Sequence, residues 1–339
     1  MTHNPNPPNS TANLALARSV GRSVAAGTPL SSAELFALAA DAFGGTLAEG
    51  AFSPRDAYDA AELGLHLHLL RLDLPLEDDP SDGLAEVERL SALLPSQTRR
   101  TAAQNDYQQF STPAAYAALC SWVSGVGARG SARGSRVIEP SAGTGALCTF
   151  ALASDATVHA NELCDRRADL LAVLLDEAGR DPSRTMTREN ADHLDAILPP
   201  EARADVVLMN PPFSRTAGRL GSRRVVTVGT DHVLQALKRL DPGGRLVAVL
   251  SAGVRRGKTT HRAFFEAVDR TPFRLRADVE VGGAVYRPYG TSVRTRVLVV
   301  DREPENAPAR SRACVEASVG SVAEALGVLA PVQADRYFG

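Results

Sequence analysis

The sequence predicts a doubly wound α/β sheet, mostly parallel with an antiparallel edge strand, together with a small N-terminal helical domain. Three observations carry this expectation. From about Gly130 onward, short apolar runs alternate with segments of helical period. The run Ala204-Asp205-Val206-Val207-Leu208-Met209 stops abruptly at Asn210-Pro211-Pro212-Phe213, as a buried parallel strand does when it delivers side chains to a cleft at its carboxyl end. A glycine turn, Pro140-Ser141-Ala142-Gly143-Thr144-Gly145, joins the first strand of this region to a helix.

The elements follow in order. Residues 1–12 are rich in Asn, Pro and Ser with nothing to bury, and 1–30 is expected to be a disordered or partly helical tail. Residues 31–94 form the helical domain. Ser31-Ser32-Ala33-Glu34 is a capping box with Leu35, Leu38 and Ala39 at helix spacing, a second helix follows Ser53-Pro54, and Ser81 or Asp82 caps a third. Its acidic face, from Glu77 to Glu88, reads as solvated, and His66 and His68, two apart on a helix, point to different faces and are poor metal partners. Residues 95–302 carry the sheet. Its strands are Arg136–Glu139, Ala156–Glu162, a weak one at Thr185–Thr187, Ala204–Met209, Arg245–Leu250 after the turn Asp241-Pro242-Gly243-Gly244, and an antiparallel pair near Arg274–Val279 and Arg294–Val300. Residues 303–339 form a C-terminal extension with a short Ala/Val/Leu helix of unassigned purpose.

Composition sets the bounds. The chain has 339 residues, 44% of them apolar, which is enough for a sizeable core, and its formal net charge of −2 excludes a globally basic nucleic-acid binder while allowing a local basic face. Lys238 and Lys258 are the only lysines; arginine supplies the remaining positive charge and suits phosphate contact. Cys120, Cys148, Cys164 and Cys314 lack the paired spacing of a zinc site or disulfide framework, so no metal is expected. No apolar run is long enough to span a bilayer and the first residues do not read as a signal peptide, so a cytoplasmic protein is expected, with no membrane partner.

In a doubly wound sheet, ligands bind outside the carboxyl ends of the strands where the chain reverses direction. The glycine turn and Asn210-Pro211-Pro212-Phe213 both fall there. Gly143 and Gly145 permit a tight turn and close backbone approach, and Glu162 ends the second strand where a carboxylate accepts hydrogen bonds from ribose hydroxyls. This geometry implies a nucleoside-bearing cofactor. Cys148 occupies the third glycine position of the dinucleotide fingerprint, which disfavours NAD.

Taken together, Glu139-Pro140-Ser141-Ala142-Gly143-Thr144-Gly145, Asn161-Glu162, Asn190-Ala191-Asp192 and Asn210-Pro211-Pro212-Phe213, with Gln109-Phe110-Ser111-Thr112-Pro113 upstream, resemble the successive motifs of S-adenosylmethionine-dependent adenine-N6 DNA methyltransferases. The similarity covers about residues 95–301 and implies a Rossmann-like methyltransferase sheet. Leu94 to Arg100 followed by the Phe-Ser-Thr-Pro stretch also resembles the methylase region of bacterial strawberry-notch-like phage and plasmid proteins. The resemblance implies S-adenosylmethionine as cofactor. It implies that Phe110 and Thr112 hold its adenine or methionine end, that Glu139, Pro140, Ser141, Ala142, Gly143 and Gly145 pass its amino-acid portion, that Glu162 binds the ribose and that Asp192 binds the adenine amino group. It also implies that Asn210 and the Pro211 carbonyl accept hydrogen bonds from the target amine, with Pro212 holding the backbone rigid, and that Phe213 stacks on a flipped base. DNA is the implied substrate. With no insertion large enough for a separate sequence-reading domain, target recognition is expected to be weak or supplied by a specificity or helicase partner protein.

Arg215, Arg219, Arg223 and Arg224 after Phe213, and Arg255, Arg256, Lys258 and Arg262 after the fifth strand, form candidate walls of a nucleic-acid cleft. Competing readings remain. Ala252-Gly253-Val254-Arg255-Arg256-Gly257-Lys258-Thr259 matches a relaxed phosphate loop and would suit an ATPase. The Asn-Pro-Pro-aromatic motif also serves enzymes acting on guanine-N2 of ribosomal RNA or on protein glutamine, since each target is a planar conjugated amine. A non-catalytic relic that binds only cofactor or DNA is a third class.

Overall fold

The computed structural model describes residues 10–74, 76, 79–97, 110–126, 134–199, 202–217, 223–306 and 313–337. Helices open the chain: α1 (Ser10–Ala25), α2 (Ser32–Phe43), α3 (Pro54–Leu69), α4 (Ser81–Ser91) and α5 (Ala114–Ser124). Strands and helices then alternate through β1 (Arg136–Glu139), α6 (Ala146–Ala153), β2 (Thr157–Asn161), α7 (Asp165–Glu177), β3 (Met186–Thr187) and β4 (Ala204–Met209). A small ribbon of β5 (Arg215–Ala217) and β6 (Arg223–Val225) precedes α8 (Val228–Leu237), β7 (Leu240–Ser251), α9 (Arg262–Val268), β8 (Phe273–Val281), β9 (Thr295–Arg302), β10 (Val315–Val319) and α10 (Val322–Ala334). Among the described residues, no helix is long and apolar enough to cross a membrane.

Local chemistry sets the helix starts. The capping boxes at Ser31 with Glu34 and at Ser53 with Asp56 both form, and Pro54 opens α3 where its missing N–H costs nothing. Helix α1 occupies much of the expected tail. Leu16, Ala17, Val20 and Val24 recur at helical spacing and are buried against α3, which gives α1 an apolar face.

The eight-stranded sheet runs β3-β2-β1-β4-β7-β9-β8-β10 and is a mostly parallel, doubly wound Rossmann-like sheet. The one antiparallel member, β9, lies inside the sheet, hydrogen-bonded to both β7 and β8, and the outer edge is taken by β10, parallel to β8. Burial explains the placement. Val297, Leu298, Val299 and Val300 are buried on both faces, as an interior strand requires, whereas β10 alternates between half-buried and exposed residues, as an edge allows.

Alternation along the strands divides the core. Val137, Val206, Leu208, Val247 and Val249 face a cluster built with the N-terminal helices, α5, α6, α7 and α10; Ile138, Val207, Met209, Leu246 and Ala248 face α8 and α9. The N-terminal helices therefore share one apolar core with the sheet. The C-terminal extension is bound to the same face. Arg245 donates to both Asp301 oxygens at 2.6 and 2.9 Å, to the Val123 carbonyl at 3.0 Å and to the Val332 carbonyl at 2.9 Å, capping the ends of α5 and α10 with one guanidinium. Pairing runs outward from β1 to β2 and β3 on one side and to β4 and β7 on the other, so the crevice opens at the carboxyl ends of β1 and β4.

Candidate active site

The turn between β1 and α6 is built on glycine conformations. Gly143 and Gly145 have φ of +59° and +97°. At Gly145 a side chain would also run into Leu174 of α7, so this position needs glycine for packing as well as for backbone. The turn is tied to β2: Ala142 N–H donates to the Asn161 carbonyl at 2.9 Å and Gly143 N–H to Glu162 Oε2 at 2.7 Å. Glu162 Oε1 accepts from Cys164 N–H at 2.8 Å.

Asn161 joins the loops that follow β1, β2 and β3. Its amide nitrogen donates to the carbonyls of Pro140 and Glu189, each at 2.9 Å, and its oxygen accepts from Thr187 Oγ1 at 2.8 Å and Glu189 N–H at 3.0 Å. A buried amide with both ends satisfied fixes all three loops at once. Asp192 follows β3. Its Oδ1 lies 2.9 Å from His232 Nε2 on α8, and its backbone N–H donates to Asn190 Oδ1 at 3.0 Å.

At the end of β4, Asn210 Nδ2 donates to the Phe110 carbonyl at 3.1 Å and to Thr112 Oγ1 at 2.8 Å. A backbone carbonyl only accepts, so the amide nitrogen must face it and Oδ1 is turned the other way as an acceptor. Tyr286, between β8 and β9, is fully buried and directs its hydroxyl toward the same side chain. Phe213 is 6% exposed and packs on Phe110 with ring centroids 5.8 Å apart.

These groups surround a cavity of about 250 Å³. It gathers Phe110, Thr112, Pro140, Ser141, Ala142, Gly143, Glu162, Asp192, Asn210 and Pro212. The structure thus brings together the upstream, glycine-turn, acidic and Asn-Pro-Pro segments singled out in the sequence. Gly145 and Phe213 pack behind this lining, Pro211 is buried, and Glu139 lies beneath the turn with the Cys148 thiol donating to it at 2.9 Å. Burial above all pushes the Glu139 carboxyl up to about 8; the Cys148 bond opposes this and the Glu162 charge adds to it.

The basic residues are placed differently. Arg255, Lys258 and Arg262 are exposed beyond the carboxyl end of β7, while Arg256 pairs with Asp269 at 2.6 Å and covers the Phe265 ring. Residues 252–259 form a loop leading to a 3-10 turn at Thr259–His261, away from the cavity lining. Arg215, Arg223 and Arg224 are placed by backbone alone, in the ribbon pairing Arg215 with Val225 and Ala217 with Arg223. Arg219, Gln109, residues 98–100 and residues 1–9 fall outside the described residues. Among the described residues no His, Cys, Asp and Glu group could hold a metal.

Some cavity residues carried no sequence signal. His232 and Arg167 line it from helices, where only the three-dimensional path of the chain brings them in. From α3, Glu62 accepts from Thr144 Oγ1 at 3.1 Å and His66 Nδ1 lies 3.4 Å from the Thr144 carbonyl, so the N-terminal helices grip the glycine turn directly. Burial first, then the Asp59 charge, pushes Glu62 up to about 7 against the bonds and charges of Ser111, Arg167 and Thr144; burial lowers His66 to about 4, leaving it neutral.

The Methyltransferase small domain family model matches residues 129–271. A comparison with curated proteins gave no match. Among solved structures, the chain is similar to a Listeria monocytogenes protein assigned to the class I S-adenosylmethionine-dependent methyltransferases, with 11% identity over 96% of this chain and 97% of that one and a TM-score of 0.54. It is similar to the methyltransferase subunit of a type I restriction-modification system from Streptococcus thermophilus at 14% identity, covering 93% of this chain and 74% of that one, with a TM-score of 0.51. A chain of Vibrio vulnificus YJ016 assigned as the modification subunit of a type I restriction enzyme shares 18% identity over 73% of this chain and 58% of its own, with a TM-score of 0.48. At these identities the likeness is one of fold.

Proposed function

We propose that this chain transfers a methyl group from S-adenosylmethionine to an exocyclic amine, N6 of an adenine flipped out of DNA, with a specificity or helicase protein as partner. The observation that carries the reading is the oriented Asn210 amide at the end of β4, in a cavity that also holds the glycine turn and the acids Glu162, Glu189 and Asp192. The cavity fits the cofactor on its own chemistry. The backbone at Gly143 leaves room for close approach, Glu162 offers acceptors for ribose hydroxyls, and Asp192, oriented by His232, offers one for the adenine amino group. When bound, S-adenosylmethionine would supply the methyl group of its sulfonium to the amine lone pair, with the neutral thioether leaving and the amine's surplus proton passing to solvent.

The residues of the chain do the positioning. An exocyclic amine is a weak nucleophile because its lone pair is delocalised into the ring. Asn210 Oδ1 and the Pro211 carbonyl accept its two N–H groups, turn the lone pair out of conjugation and take up positive charge that develops on the nitrogen. Pro211 and Pro212 fix the backbone so that both acceptors keep their direction. Phe110 lines the cavity with Phe213 packed behind it, and this aromatic pair supplies the surface for the base, offsetting part of the roughly few kcal/mol that unstacking costs. Arg255, Lys258 and Arg262, at the same end of the sheet, contact phosphates of the strand.

Transfer of a labelled methyl group to DNA, RNA and whole-cell protein tests the reading. Label is expected in DNA, at adenine N6. Asn210→Ala is expected to reduce transfer by on the order of 100-fold or more, the scale of removing one oriented polar group at a reacting centre. Its cofactor Kd, measured by calorimetry, is expected to change little. Unchanged transfer by Asn210→Ala would remove the clamp from the mechanism, and label in RNA or protein in place of DNA would reassign the substrate.

A further inference from the structure

Arg167, in the first turn of α7, is the one arginine or lysine among the described residues that line the cavity. Its residue is 5% exposed, yet its Nε has no hydrogen-bond partner, and its nearest carboxylate oxygen, Asp59 Oδ2, is 3.9 Å away. That carboxylate is already engaged by Arg166. Neither Nη donates to a described residue, and Nη1 lies 3.8 Å from where a Cβ on Gly143 would stand, over the turn that passes the amino-acid end of the cofactor. Burial opposes the charge on Arg167, but Asp59, Glu162 and Glu62 around it more than restore it.

The remaining charged side chains of the lining are acids, Glu162, Glu189 and Asp192, with His232 beside Asp192. Such a lining suits the sulfonium and ammonium of S-adenosylmethionine and repels its carboxylate. A buried guanidinium with free donors beside the turn resolves the conflict, because its planar fork matches a carboxylate in a bidentate way. We propose that Arg167 anchors the carboxylate at the amino-acid end of S-adenosylmethionine, an assignment that rests on the cofactor reading above. The acids on α3 and directly after β2 keep the guanidinium charged, and the bound carboxylate completes its hydrogen bonding.

The test compares calorimetric Kd values for S-adenosylmethionine and for its decarboxylated form, which keeps the amine and the sulfonium. The wild-type chain is expected to bind the intact cofactor roughly 10- to 100-fold more tightly, as for a hydrogen-bonded charge pair. Arg167→Gln is expected to lose that factor for the intact cofactor and to hold the decarboxylated form within about threefold of wild type, so that the preference disappears. Arg167→Lys is expected to keep part of it. Taking the ratio within each variant cancels any unfolded fraction. Equal weakening of both ligands in Arg167→Gln would overturn the assignment and leave Arg167 as a charge balance for Asp59, Glu62 and Glu162. A wild-type chain that does not distinguish the ligands would overturn it without any variant, while a wild-type chain that binds neither would overturn the cofactor reading and this assignment with it.

Discussion

Glu139 illustrates how one residue links stability to pH. It ends β1 in the apolar layer beneath the glycine turn, with the Cys148 thiol donating to it at 2.9 Å, and burial raises its pKa from 4.5 to about 8. Above about pH 4.5 the unfolded chain releases this proton while the folded chain keeps it until about pH 8. Stability from this group therefore falls as pH rises through that window and is unaffected by pH below it. Glu139→Gln keeps an acceptor for Cys148 and removes the titration. Urea denaturation of both forms at pH 5 and pH 8 is expected to show a smaller loss of stability in the variant. Part of the slope should remain, because Glu62, raised to about 7 mainly by burial, has the same sign. The Asn210 amide is the complementary case, a neutral group whose proposed role rests on the orientation that Phe110 and Thr112 impose on it.

At the scale of elements, the crossing of α1 over α3 decides how the N-terminal helices reach the cavity. A Cβ at Gly64 would meet the Ala17 carbonyl oxygen at 2.5 Å, so the two helices touch backbone to backbone. That close approach lets α3 lie where Glu62 and His66 contact Thr144. Gly64→Ala is expected to be destabilising, with a steric cost of about 1–3 kcal/mol set against about 1 kcal/mol of helix propensity gained. A lower urea midpoint at an unchanged m-value is the expected reading. An unchanged midpoint would mean that α1 is free to move away. Arg245 acts in the same way at the other end of the chain, since Asp301 neutralises it while the carbonyls it caps on α5 and α10 fasten the extension to the sheet.

For the whole molecule, one continuous apolar cluster runs from Leu16 through the sheet to Val332. Helical region, sheet and extension are therefore expected to unfold together, in one calorimetric transition whose van't Hoff and calorimetric enthalpies agree. Two resolved transitions would show that the helices from 31 to 94 form an independent domain. S-adenosylmethionine at about 100 times its Kd is expected to raise the stability of this one transition by about 2.7 kcal/mol. An upward shift of the midpoint with increasing ligand would report it.

Much of this architecture was legible in the order of residues. The parallel strands, the glycine turn, Glu162 and Asn210 were legible because strand period, glycine turns and Asn-Pro-Pro punctuation are local, each depending on neighbours a few residues away, whereas Asp192 was marked only by the resemblance of Asn190-Ala191-Asp192 to a family motif. Three things depended on distant parts of the chain. The insertion of β9 between β7 and β8 follows from which faces are buried, not from the apolar run that β9 shares with any interior strand. Helix α1 can lie this close to α3 because Gly64 carries no side chain. Arg167, His232 and Glu62 sit on helices with no motif to mark them; packing of α7 and α8 at the carboxyl edge of the sheet brings Arg167 and His232 into the cavity, and packing of α3 sets Glu62 against Thr144 behind it. The sequence by itself determined which loops could carry chemistry; tertiary packing decided which buried charges face it, because the environment of a charge is set by groups far away along the chain.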